Sequence, residues 1–71
     1  MTKTVYIDGM MCKHCAASVK KALEAINGIT LADVDLENKK AIVSLSAEIA
    51  NETIENAIKD EGYIVTKIDW S

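Results

Sequence analysis

The chain has 71 residues and a formal net charge of −3, with 49% hydrophobic and 27% charged residues and no proline. A chain of this length is expected to make one small domain, residues 1–71, with a modest core. The acidic balance, with no interleaving of basic and aromatic residues, argues against nucleic acid, and no apolar run is long enough for a signal peptide or a membrane insertion.

In chain order, Val5 and Ile7 alternate with Thr4, Tyr6 and Asp8, the two-residue repeat of a half-buried strand. From residue 13 the apolar positions fall at Ala16, Val19, Leu23 and Ile26, with Ala22 beside them, which is helical spacing. Asn27-Gly28 is its expected end, because glycine takes the left-handed conformation of a C-terminal cap. Ala32, Val34 and Leu36 then alternate with Asp33 and Asp35 as a second strand. Glu37 to Lys40 reads as a polar turn, and Ala41, Val43 and Leu45 alternate again. So short a connection makes these two strands a hairpin. A second helix is expected from about residue 51 to 61, with Ile54, Ala57 and Ile58 on one face and Asn51 as its N-cap. Glu52 and Glu55 suit its early turns, Asp60 and Glu61 oppose the dipole at its end, and Gly62 stops it. A last strand runs from Tyr63 to about Asp69, and its pattern does not identify the buried face.

This order predicts an α+β fold, the ferredoxin-like βαββαβ sandwich: a four-stranded antiparallel sheet with two helices on one face. In that arrangement the loop at residues 9–15 approaches Gly62 and Tyr63.

That loop, G-M-M-C-K-H-C, holds both cysteines of the chain. Cys12 falls on the loop and Cys15 in the first helical turn, where unpaired N–H groups and the positive end of the dipole favour thiolate. Lys13 adds a cation between them, and the two sulfurs can converge at one helix end. Four readings compete. The cysteines can pack as small hydrophobes, although a pair on a loop before a helix is not typical of a core. A thioredoxin-like dithiol is a second reading, against which stand the short chain and the missing proline. Structural zinc needs four protein ligands, and here only Cys12, Cys15 and His14 are at hand. The helix tends to turn His14 away from the shared site, so zinc would need two chains to pool four sulfurs. A soft closed-shell ion needs the fewest ligands, since two nearly linear thiolates satisfy Cu(I), and Hg(II) has the same preference. Such an exposed pair leaves room for a third sulfur to enter, so the ion can move to another pair without becoming free.

Gly9-Met10-Met11-Cys12-Lys13-His14-Cys15 resembles the G-M-x-C-x-x-C motif of heavy-metal-associated domains. Ala57 to Tyr63 resembles their second signature, an apolar helix end followed by Gly-Tyr. The order and spacing of all six elements agree, so the resemblance covers nearly the whole chain. It implies a non-enzymatic carrier, most like the small bacterial copper chaperones that deliver Cu(I) to copper-transporting P-type ATPases or their metal-binding domains. It also implies Cys12 and Cys15 as metal ligands, Met10 as a core support of the loop, and Tyr63 close to the site. N-terminal regulatory modules of such ATPases and a mercury-binding protein of resistance operons share the pattern, and Ag(I) and Hg(II) are alternative cargoes. The expected compartment is the cytoplasm, an exported form or a piece of a larger protein being the alternatives.

The chain departs from its relatives at Met11, where Thr or Ser is frequent. Met11 is either an exposed loop residue or a thioether giving an occasional third contact to Cu(I). His14 is read as facing solvent, with a role at a metal-bridged homodimer or partner contact as the alternative, where imidazole titration adds pH sensitivity. Tyr63 is either half-buried packing or a hydroxyl that stabilises the thiolates. Lys13, Lys20 and Lys21 are either a solvated helix face or a docking surface for an acidic partner.

Overall fold

The computed structural model describes residues 1–70; Ser71, the last residue of the expected domain, lies outside them. The elements are β1 (Thr2–Asp8), α1 (Lys13–Glu24), β2 (Ile29–Asp35), β3 (Lys40–Leu45), α2 (Asn51–Asp60) and β4 (Ile64–Trp70). The strands form one antiparallel sheet in the order β2-β3-β1-β4. Both helices pack on one face of it, the ferredoxin-like sandwich that the element order predicts.

Alternation decides which side chains enter the core. Val5 and Ile7 of β1, Ala32 of β2, and Ala41, Val43 and Leu45 of β3 meet Val19 and Leu23 of α1 and Ile54 and Ile58 of α2 in one cluster. The four-residue spacing of each helical pair sets both members on one face. Fully burying one such aliphatic side chain contributes about 1.5–3 kcal/mol relative to leaving it exposed.

Four expectations need correction. First, α1 stops at Glu24 with Ala25 as its C-cap, short of Asn27-Gly28. Ile26 leaves the helical path to pack against the core, and its carbonyl accepts the N–H of Ile29. Gly28, at φ +104°, instead shapes the turn into β2, where a Cβ would lie 2.9 Å from Ile49 Cδ1. Second, β2 begins at Ile29, three residues before Ala32, because the register with β3 shifts between Ile29 and Leu31. Both Ile29 and Ala32 are therefore buried, a spacing that hides the alternation.

Third, the turn occupies Leu36 to Lys39, and Lys40 already belongs to β3. The Asp35 carboxylate holds that turn by accepting the Asn38 backbone N–H at 3.1 Å and side-chain amide at 2.7 Å. Fourth, Asn51 is the first residue of α2, whose N-cap is Ala50, and no side chain caps that end. The Asn51 Oδ1 instead accepts a hydrogen bond at 2.7 Å from Lys3 Nζ, which also donates to the Ile49 carbonyl at 2.8 Å. Lys3 shares the buried face of β1 with Val5 and Ile7 and is 2% exposed. Burial of an ammonium is tolerable only with such oxygen partners.

The inward face of β4 follows from a bulge. Val5 pairs with Ile68 and Ile7 with Val65, with a register shift between Tyr6 and Ile7. Val65 and Ile68 thus pack against the core although three positions separate them.

Candidate metal centre

Strand β1 is flanked on both sides, by β3 and β4, and its end delivers the next loop to one end of the sandwich. Met10, 4% exposed and part of the core, anchors that loop from below. Cys12 is the N-cap of α1 with an extended backbone, and Cys15 is the third residue of the helix. Side chains at these two positions face each other across the first turn, the relation that capping boxes use. The Cys12 and Cys15 Sγ atoms accordingly lie 3.5 Å apart. Both are free cysteines, Cys12 exposed and Cys15 partly buried.

Cys12 makes no side-chain capping bond and the first turn holds no acidic residue. The unpaired N–H groups and the dipole's positive end therefore remain available to stabilise negative sulfur.

The other side of the site comes from the end of α2. Gly62, at φ +93°, donates its N–H to the Lys59 carbonyl at 2.9 Å, while Tyr63 donates to the Ile58 carbonyl at 3.2 Å. These are the paired bonds of a Schellman ending, which turns the chain sharply and presents Tyr63 to the first turn of α1. The Tyr63 hydroxyl hydrogen-bonds Cys15, and this bond is the largest cause lowering the Cys15 thiol from 9.0 to about 7. The Met11 backbone and the Cys12 side chain add further hydrogen bonds to the same sulfur, and partial desolvation opposes them. The tyrosine shows the reciprocal effect, its hydroxyl raised from 10.0 to about 12 chiefly by the bond to Cys15. The same bond is the largest cause of both shifts, because it favours the proton on oxygen and the negative charge on sulfur. Lys13, although adjacent, is exposed, and the lowering comes from hydrogen bonds and not from its charge.

The remaining residues singled out by the sequence sit around this pair. Met11 is 87% exposed on the loop. His14 is exposed in the first turn of α1. Lys13, Lys20 and Lys21 are exposed along α1, with Lys20 paired to Glu24 at 2.8 Å. Glu52, Glu55, Asp60 and Glu61 are exposed on α2 and just after it. Among the described residues no group of three or more His, Cys, Asp or Glu is placed to hold a metal. Among those residues the site therefore offers two sulfurs, short of the four protein ligands of structural zinc. For Lys3 the sequence carries one signal, a charged residue in phase with Val5 and Ile7.

A family model for the heavy-metal-associated domain matches residues 4–63, from β1 through the loop and both helices to Tyr63. The chain belongs to the heavy-metal-associated domain family. This heavy-metal-associated domain is 42% identical over 60 residues to the copper chaperone CopZ of Staphylococcus aureus (strain JH9), across 83% of this chain and 88% of that protein. Among solved structures it is similar to a CopZ metallochaperone, with a TM-score of 0.87 and 37% identity over 93% of this chain and 100% of the other. A copper binding domain from HMA7, a P-type ATPase, matches with a TM-score of 0.84 and 32% identity over 99% and 100% of the two chains. Among the described residues of this heavy-metal-associated domain, no helix is long and apolar enough to cross a membrane.

Proposed function

We propose that this chain is a Cu(I) carrier: the thiolates of Cys12 and Cys15 hold the ion and pass it to a metal-binding domain of a copper-transporting P-type ATPase. The observation that carries the reading is the pair of sulfurs 3.5 Å apart at an uncompensated helix N-terminus. Two soft anionic donors suit Cu(I), and the shared helix end lowers the proton competition that the ion must overcome. Similarity to copper chaperones supports the choice of cargo, with Ag(I) and Hg(II) as ions of like chemistry.

Exposure and hydrogen bonding divide the work between the two sulfurs. Cys12, exposed, is the sulfur that an incoming thiolate displaces first. Cys15 is partly buried and keeps the Tyr63 hydrogen bond, so it releases the ion last and remains stabilised as a thiolate afterwards. Handover breaks and makes only metal–sulfur bonds, so no residue is assigned a catalytic role. Two free thiols need a reducing compartment, which fits the cytoplasm. Lys13, Lys20 and Lys21, with His14 at the near end, would orient α1 against an acidic face of the acceptor.

Anaerobic titration with Cu(I) against a competing chelator tests the reading. One ion per wild-type chain is expected, with binding lost in both Cys12→Ser and Cys15→Ser. Undiminished binding in either variant overturns it. The match along the whole of an ATPase copper binding domain favours a second reading, a regulatory module of such an ATPase. A reading frame that continues past Ser71 into membrane-spanning segments would decide for it.

A further inference from the structure

Met10 and Met11 are neighbours with opposite fates, one 4% and the other 87% exposed. Met11 directly precedes Cys12, so its side chain is rooted beside the two-sulfur site. No third His, Cys, Asp or Glu joins that pair among the described residues. The other two methionines are elsewhere: Met10 is in the core, and Met1 lies at the opposite end of β1, where its carbonyl accepts from Leu45. The thioether of Met11 is thus the soft donor that the cysteine loop carries outside the core.

We propose that Met11 closes the third position of the Cys12–Cys15 site on a soft monovalent ion, Cu(I) or Ag(I), as a neutral and replaceable sulfur donor. The inference rests on the carrier reading. Thioethers select Cu(I) among biological metals, and a neutral sulfur adds no charge to the bis-thiolate complex. Met11 therefore shields the ion from water and small thiols yet yields to the anionic thiolate of an acceptor. Its flexible, unbranched side chain can swing on and off the ion without moving the loop.

The test is X-ray absorption of the selenomethionine-labelled chain loaded with Cu(I) at the two thiolates. A copper–selenium path is expected, and Met11→Leu, which keeps the apolar bulk but not the sulfur, should abolish it. Chelator competition should show Met11→Leu to bind Cu(I) and Ag(I) several-fold more weakly, with Hg(II) binding unchanged. A loaded chain with copper–sulfur scattering but no copper–selenium path overturns the proposal and leaves the carrier reading intact. Failure of the wild-type chain to take up either ion at all overturns both.

Discussion

The hydroxyl of Tyr63 hydrogen-bonds the sulfur of Cys15, joining the end of α2 to the first turn of α1. Removing that donor in Tyr63→Phe should return the Cys15 thiol toward its ordinary 9.0 from about 7, as read from the Cys15 Cβ resonance against pH. Because the folded value lies below the unfolded one, the thiolate contributes stability that is fully present above pH 9.0 and lost as pH falls through about 7. Denaturant midpoints of the metal-free wild type should therefore rise with pH across that window, and rise less in Tyr63→Phe. Equal slopes in the two proteins would show that the bond does not set the thiol.

The buried Lys3 ammonium ties β1 to the start of α2 through Asn51 and the Ile49 carbonyl. Lys3→Met leaves those oxygens without this donor and should cost about 1–3 kcal/mol in urea unfolding. A double-mutant cycle with Asn51→Ala should show a coupling of roughly 0.5–3 kcal/mol, whereas a simple N-cap role for Asn51 would make the two losses additive.

Gly28 and Gly62 both adopt positive φ but differ in their surroundings. At Gly62 an added Cβ meets nothing within 4 Å, so Gly62→Ala should cost only the left-handed backbone penalty, about 1–2 kcal/mol. Gly28→Ala adds a 2.9 Å approach to Ile49 Cδ1 and should lower the melting temperature further. The reverse ranking would mean that Ile49 moves aside without cost and that the Schellman turn resists the change.

Exposed lysines along α1 make an ionic-strength signature for docking. Replacing Lys13 and Lys21 by Ala should slow association with an acidic acceptor domain at low salt and flatten the salt dependence of the rate. The change should appear in stopped-flow association rates, with Cu(I) affinity unaltered. An unchanged rate at low salt removes the steering role.

Much of this molecule was legible in one dimension. Alternation in β1 and β3, the four-residue spacing of Val19 with Leu23 and of Ile54 with Ile58, and Gly62 after α2 all report burial or backbone geometry within a single segment. The spacing of Cys12 and Cys15 at a helix start likewise placed the candidate site, because two positions three apart across a first turn must converge. Packing between distant segments decided the rest. The bulges in β2 and β4 shift alternation by one residue, and they exist only in the pairing with β3 and β1. Lys3 finds its oxygens 46 and 48 residues away, and the low Cys15 thiol depends on Tyr63 from the far end of α2. Periodicity records which side of a segment is dry; the partner a polar atom finds there is chosen only when the segments meet.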